Sequence, residues 1–130
     1  MKVSFQCIEE AIEGIAETFK YKTKLIVGIT RGGLVPAVML SHKMNIPMKT
    51  VQIQLRDSTE TLELESLRVY NNRDVLFIDD INDTGETIKL IQEYAPLANF
   101  ATIHKKNEST IRDADYHKVV DGGGEYPWEL

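Results

Sequence analysis

The cleanest periodicity in the chain lies at residues 4–20. Ile8, Ala11, Ile12, Ile15, Ala16 and Phe19 fall on one stripe, and Glu9, Glu10, Glu13 and Glu17 fall mostly outside it. Apolar residues three and four apart predict an amphipathic helix laid on a core, with Ser4 placed to cap it. Residues 24–30 (KLIVGIT) and 75–78 (VLFI) are instead short apolar runs without alternation. That is the pattern of strands buried on both faces of a parallel sheet. Residues 50–55 (TVQIQL) alternate and predict a third strand, and residues 100–106 (FATIHKK) a fourth. A helix is expected from Leu34 to about Lys43, with Pro36 tolerated in its first turn and Asn45 and Pro47 ending it. Ile88, Ile91 and Ala95 have the spacing of another helix. Residues 56–68, with Asp57, Glu60, Glu63 and Glu65 among Thr and Ser, read as a solvated hairpin or loop, and Asn71-Asn72-Arg73 as a turn. Strands alternating with helices predict an α/β fold around a mostly parallel sheet.

Bulk properties narrow the picture. At 130 residues, with 42% hydrophobic and 27% charged residues, the chain fits one globular domain, 1–130, around a single core. No linker or repeat divides it, and Gly122-Gly123-Gly124 is the one biased spot. A net charge of −5 argues against general affinity for nucleic acid or anionic membrane, which needs basic patches. An anionic ligand would need local devices: helix N-termini, a few Arg or Lys, and Mg²⁺. No apolar stretch is long enough to span a bilayer, and no signal-like leader precedes the first helix. The lone cysteine, Cys7, cannot form an internal disulfide, so a reducing cytoplasm is expected.

Candidate chemistry concentrates at residues 75–87, VLFIDDINDTGET. The buried strand runs directly into Asp79 and Asp80, then Asp83, and Thr84-Gly85-Glu86-Thr87 opens the following helix. Open α/β sheets place their ligands at the carboxyl ends of the strands. Free backbone N–H groups at a helix N-terminus make an anion site. Carboxylates for hydroxyls or a metal, beside amides and hydroxyls for a phosphate, suit a sugar phosphate. Upstream, the strand at 24–30 leads into Arg31-Gly32-Gly33. Paired glycines there let the backbone turn tightly and bring bare N–H groups close to a ligand. Alone, Thr-Arg-Gly-Gly is also an ordinary turn.

These residues resemble the type I phosphoribosyltransferase family. FIDDINDTGET is similar to its signature for phosphoribosyl pyrophosphate (PRPP): apolar strand, two acids, two variable residues, then Asp-Thr-Gly-x-Thr. Thr30 to Pro36 resembles the Ser-Arg-Gly-Gly-Leu-Val-Pro pyrophosphate loop of the purine enzymes, with one conservative change. That loop often holds a non-proline cis peptide, which would fall at Thr30-Arg31. The resemblance implies the type I fold: a central, mostly parallel twisted sheet flanked by helices. It also implies a mobile lid over about 56–68 and a hood over about 107–130. Relatives often begin the lid with Ser-Tyr, where this chain has Leu55-Arg56.

By the same resemblance, Thr30, Arg31, Gly32 and Gly33 bind pyrophosphate. Asp79 and Asp80 hold the ribose hydroxyls and contact Mg²⁺, with Asp80 the chief metal contact. Thr84, Gly85, Glu86 and Thr87 cradle the 5′-phosphate, and Asp83 handles the proton at the purine imidazole nitrogen. Lys106 aligns with a lysine that bonds the purine 6-oxo group in xanthine-guanine and hypoxanthine-guanine enzymes. His104 reads as a strand residue with an ordinary partner. The tail retains Val119-Val120-Asp121 and Pro127-Trp128-Glu129 but is shortened between them, so the hood is reduced. Glycine stands where the base-stacking aromatic belongs. Tyr126 or Trp128 could substitute, or could anchor packing.

The implied activity is Mg²⁺-dependent transfer of the 5-phosphoribosyl group from PRPP to a 6-oxopurine nucleobase, giving a nucleoside monophosphate and pyrophosphate. A homodimer or homotetramer in the cytoplasm is expected. Three alternatives stay open: a phosphoribosyltransferase for another base, a non-catalytic PRPP- or nucleotide-binding regulator on the same fold, and a phosphorylation receiver domain. The position of the acidic pair past the middle of the chain weighs against the receiver.

Overall fold

Helix α1 (Phe5–Phe19) forms where the apolar stripe predicts it. Ile8, Ala11, Ile12, Ile15 and Phe19 are buried, and the Cys7 amide donates to the Ser4 hydroxyl at 3.2 Å to cap the first turn. Burying each isoleucine contributes about 1.5–3 kcal/mol, so this face holds the helix to the sheet far more firmly than its cap. The computed structural model describes residues 3–53, 61–82, 85–105 and 126–128. After α1 the chain runs through β1 (Leu25–Thr30), α2 (Leu34–Met44), β2 (Met48–Gln52), α3 (Thr61–Ser66) and a 3-10 turn (Leu67–Tyr70). It continues through β3 (Val75–Asn82), α4 (Glu86–Tyr94) and β4 (Asn99–Lys105).

The four strands are parallel in the order β2-β1-β3-β4. Period-2 alternation sends their side chains to opposite faces. Ile26, Leu76, Ile78, Ala101 and Ile103 pack with α1 and α2 in one core. Val27, Ile29, Val75, Phe77 and Phe100 pack with Leu67, Ile88, Ile91 and Ala95 in the other. The chain therefore leaves β1 toward one face through α2, and leaves β3 toward the other through α4. The switch point, where open α/β sheets bind ligands, therefore falls between the carboxyl ends of β1 and β3. Gly28 lets α2 sit close to β1, because a Cβ there would lie 2.7 Å from that of Ala37.

The structure differs from the sequence pattern in two elements. Strand β2 spans Met48–Gln52 rather than 50–55, because its pairing with β1 begins at Ile26↔Met48. Ladder hydrogen bonds, not side-chain alternation, set its start. Within 56–68, expected as a polar loop or lid, residues 56–60 lie outside the described part, while α3 and the 3-10 turn occupy the rest. Leu67 is the anchor, 2% exposed in the second core. Arg68 pairs with Glu65 at 2.6 Å and covers the Tyr94 ring at 5.0 Å. Among the described residues no helix is long and apolar enough to cross a membrane.

Candidate active site

Strand β3 pairs with β1 only from Val75 to Ile78, and then runs on beside β4 through Asp79↔Thr102 and Ile81↔His104. Asp79 and Asp80 thus lie just past the last residue that β3 pairs with β1, at the carboxyl ends of the strands. The acids are held by the backbone. The Asp80 amide donates to Asp79 Oδ1 at 2.8 Å, and the Ile81 amide donates to Asp80 Oδ1 at 2.7 Å. Asp80 is buried. Removal from water and then the adjacent Asp80 carboxylate push the Asp79 carboxyl well above its ordinary range.

The loop after β1 meets these acids through glycine. A Cβ on Gly32 would stand 2.5 Å from Asp80 Cγ and 2.6 Å from Oδ1, so the bare backbone lies directly against that carboxylate. Gly33 packs as closely on the strands, 2.7 Å from Ile29 O and 2.8 Å from Ile29 N by the same measure. Both glycines are needed for room, since among the described glycines only Gly85 has positive φ. The Thr30-Arg31 peptide is cis. Not every amide of the loop is bare: Gly33 N–H donates to Ile29 O at 2.8 Å and starts α2. The Arg31 and Gly32 amides have no backbone acceptor among the described residues. The Thr30 hydroxyl is turned to β2, donating to Val51 O at 3.1 Å.

Gly85 caps α4 with φ 89° and ψ 0°, a left-handed turn that glycine enters without steric cost. Glu86 and Thr87 follow in the first helical turn, at the positive end of the helix dipole, which favours an anion. Asp83, Thr84 and Lys106 lie outside the described residues. The structure therefore brings Gly32 to the Asp80 carboxylate, with Arg31 and Gly33 flanking it in the loop, Asp79 next to Asp80 and Gly85 opening the helix after the same strand.

Adjacent carboxylates, one of them desolvated, fit a hard divalent cation through oxygen ligands. Among the described residues no cluster of three or more His, Cys, Asp or Glu could hold an ion unaided. Such a donor set suits Mg²⁺, which keeps waters and takes oxygens from its substrate.

Sequence reasoning missed how the tail joins this strand. Tyr126 is 3% exposed, and its hydroxyl lies 2.9 Å from His104 Nδ1 and 3.2 Å from the Asp80 carbonyl oxygen. Its ring stacks with those of His104 (centroids 5.8 Å apart) and Trp128 (5.0 Å). Of the two roles open to Tyr126 and Trp128, the structure gives both that of packing anchors on the first core.

A family model described as phosphoribosyl transferase domain matches residues 2–125. A xanthine-guanine phosphoribosyltransferase of Chromohalobacter salexigens is 31% identical over 110 residues, covering 81% of this chain and 68% of its own. That of Idiomarina loihiensis is 31% identical over 117 residues, covering 82% and 71%. The fold is similar to that of a purine phosphoribosyltransferase of Pyrococcus horikoshii, with a TM-score of 0.80 at 24% identity over 100% of this chain and 94% of the other.

Proposed function

The chain belongs to the phosphoribosyl transferase domain family, and from that premise we propose that it moves the 5-phosphoribosyl group of PRPP onto a ring nitrogen of a 6-oxopurine, releasing pyrophosphate. Guanine, xanthine and hypoxanthine are the candidate bases. The observation that carries this reading is the contact of Gly32 with the Asp80 carboxylate, which joins a candidate pyrophosphate loop to a candidate ribose site. The relatives named for xanthine and guanine support the choice of base.

The residues divide the work by chemistry. Asp79 and Asp80 accept hydrogen bonds from the ribose hydroxyls. The Arg31 and Gly32 amides, with the Arg31 side chain, meet the pyrophosphate as negative charge builds on it. Preorganised donors aimed at developing charge are the strongest single catalytic device available to such a site. Thr84, Gly85, Glu86 and Thr87 take the 5′-phosphate at the start of α4. Asp83 takes the proton from the purine imidazole nitrogen, and Lys106 donates to the 6-oxo group. Mg²⁺, held by Asp80 with Asp79, would supply charge neutralisation on the leaving pyrophosphate. The transition state resembles an oxocarbenium ion, as in glycosidic cleavage. A lid over 56–68 closing on the site would exclude water from it. We further propose that 1–130 is a single domain acting in the cytoplasm as a homodimer or homotetramer on small molecules, without nucleic acid.

One observation favours a non-catalytic PRPP- or nucleotide-binding reading: Tyr126 is buried in the core and unavailable to stack on a base. PRPP binding is common to both readings, so base-dependent pyrophosphate release is the test. With Mg²⁺ and PRPP, guanine, xanthine or hypoxanthine should release pyrophosphate. Release with adenine or uracil alone would move the substrate class. No release with any base, while PRPP binds, would leave the regulatory reading.

A further inference from the structure

We propose that Tyr126 is a positioning residue for the PRPP site, acting through the Asp80–Ile81 peptide plane. This rests on the transferase reading above. A carbonyl oxygen can only accept, so the Tyr126 hydroxyl proton goes to Asp80 O at 3.2 Å. The hydroxyl oxygen must then accept from His104 Nδ1 at 2.9 Å, which assigns the proton to Nδ1 of that imidazole. The Asp80 carbonyl and the Ile81 N–H belong to one rigid planar peptide unit. Its oxygen is gripped by Tyr126, and its N–H donates to Asp80 Oδ1 at 2.7 Å. Rotation of this plane would turn the Asp80 carboxylate away from Gly32, and Tyr126 adds a hold on its carbonyl end beside the pairing of β3 with β4.

The hydroxyl is itself held. Its ring stacks with both His104 and Trp128, and His104 sits on β4 beside Ile81 in register. A hydrogen-bonded chain therefore runs from β4 through the tail to the carboxylate at the switch point, in a buried setting where such bonds strengthen one another. The C-terminal segment, 46 residues from Asp80 in sequence, thereby becomes part of the sugar-phosphate site without touching the ligand.

Tyr126→Phe keeps the ring and removes the hydroxyl. PRPP·Mg²⁺ should then bind roughly tenfold more weakly by calorimetry, with the KM for the base unchanged. In ¹⁵N NMR the wild-type His104 ring should show a protonated Nδ1, and the variant should lose that fixed tautomer. A variant with a lowered melting temperature but wild-type PRPP affinity would make Tyr126 a packing residue only and overturn the proposal. Equal losses for PRPP and base would do the same. Wild-type protein that fails to bind PRPP would overturn the transferase reading instead, while the His104 tautomer still reports independently whether the chain of hydrogen bonds exists.

Discussion

Replacing Gly32 by alanine tests the contact on which the site depends. The added Cβ would lie 2.5 Å from Asp80 Cγ and 2.6 Å from Oδ1. Carbon atoms rest about 3.5–4.0 Å apart, so roughly 1 Å of overlap has to be relieved. Gly32 does not have positive φ, so the backbone itself accepts alanine and the effect is confined to this overlap. The yielding group is the Asp80 side chain, which must leave its 2.7 Å bond from the Ile81 amide. A hydrogen bond to a charged group contributes about 1.5–3 kcal/mol, which sets the expected loss of PRPP·Mg²⁺ affinity at about 10- to 100-fold. Calorimetric titration of PRPP with Mg²⁺ reads that loss, and thermal melting reads the accompanying cost. Gly33→Ala is the contrasting variant. Its Cβ would meet Ile29 O and N at 2.7 and 2.8 Å, backbone atoms that cannot swing aside, so it should lose stability first. Gly32→Ala protein binding PRPP within twofold of wild type would refute the placement of this loop against the acid.

Two further predictions concern the acids. Asp83→Asn should lower turnover by about 10²–10⁴-fold, the usual contribution of general acid–base help, while changing PRPP affinity much less; an unchanged turnover number removes Asp83 from the proton-transfer role. Asp79 holds its proton more tightly in the folded chain than in the unfolded one. Below the ordinary carboxylate pKa both states are protonated and the gain is complete. As pH rises from there through the raised native value the gain is lost. Ligand-free protein should therefore become less stable over that window in denaturant titrations, and Asp79→Asn should flatten the decline; a wild-type profile rising through the same window would contradict the desolvation of this carboxyl.

How much of this could be read from the sequence depends on the range of the interaction. The stripe of α1 and the unbroken run before Asp79 are local, and both elements form as the pattern predicts. The cis peptide at Thr30-Arg31 matches the family resemblance rather than any propensity. The glycines of the loop were legible as a turn, but their reason was not. It is space against Asp80 and the Ile78 carbonyl, both distant in sequence. Strand β2 starts where β1 offers partners, which alternation in residues 50–55 cannot reveal. The helix at Thr61–Ser66 hides in an acidic segment because its hold comes from isolated leucines, the partly buried Leu64 and the buried Leu67 just after it. Tyr126 was visible as an aromatic near the end. Its bond to a carbonyl on the central strand depends on an expressly tertiary arrangement.

The decisive experiment is a crystal structure with Mg²⁺ and PRPP bound. The pentose hydroxyls are expected on Asp79 and Asp80, the 5′-phosphate at residues 84–87 and the pyrophosphate on the Arg31-Gly32 amides. PRPP seated away from the switch point between the carboxyl ends of β1 and β3, or making no contact with those two acids, would contradict the proposed site.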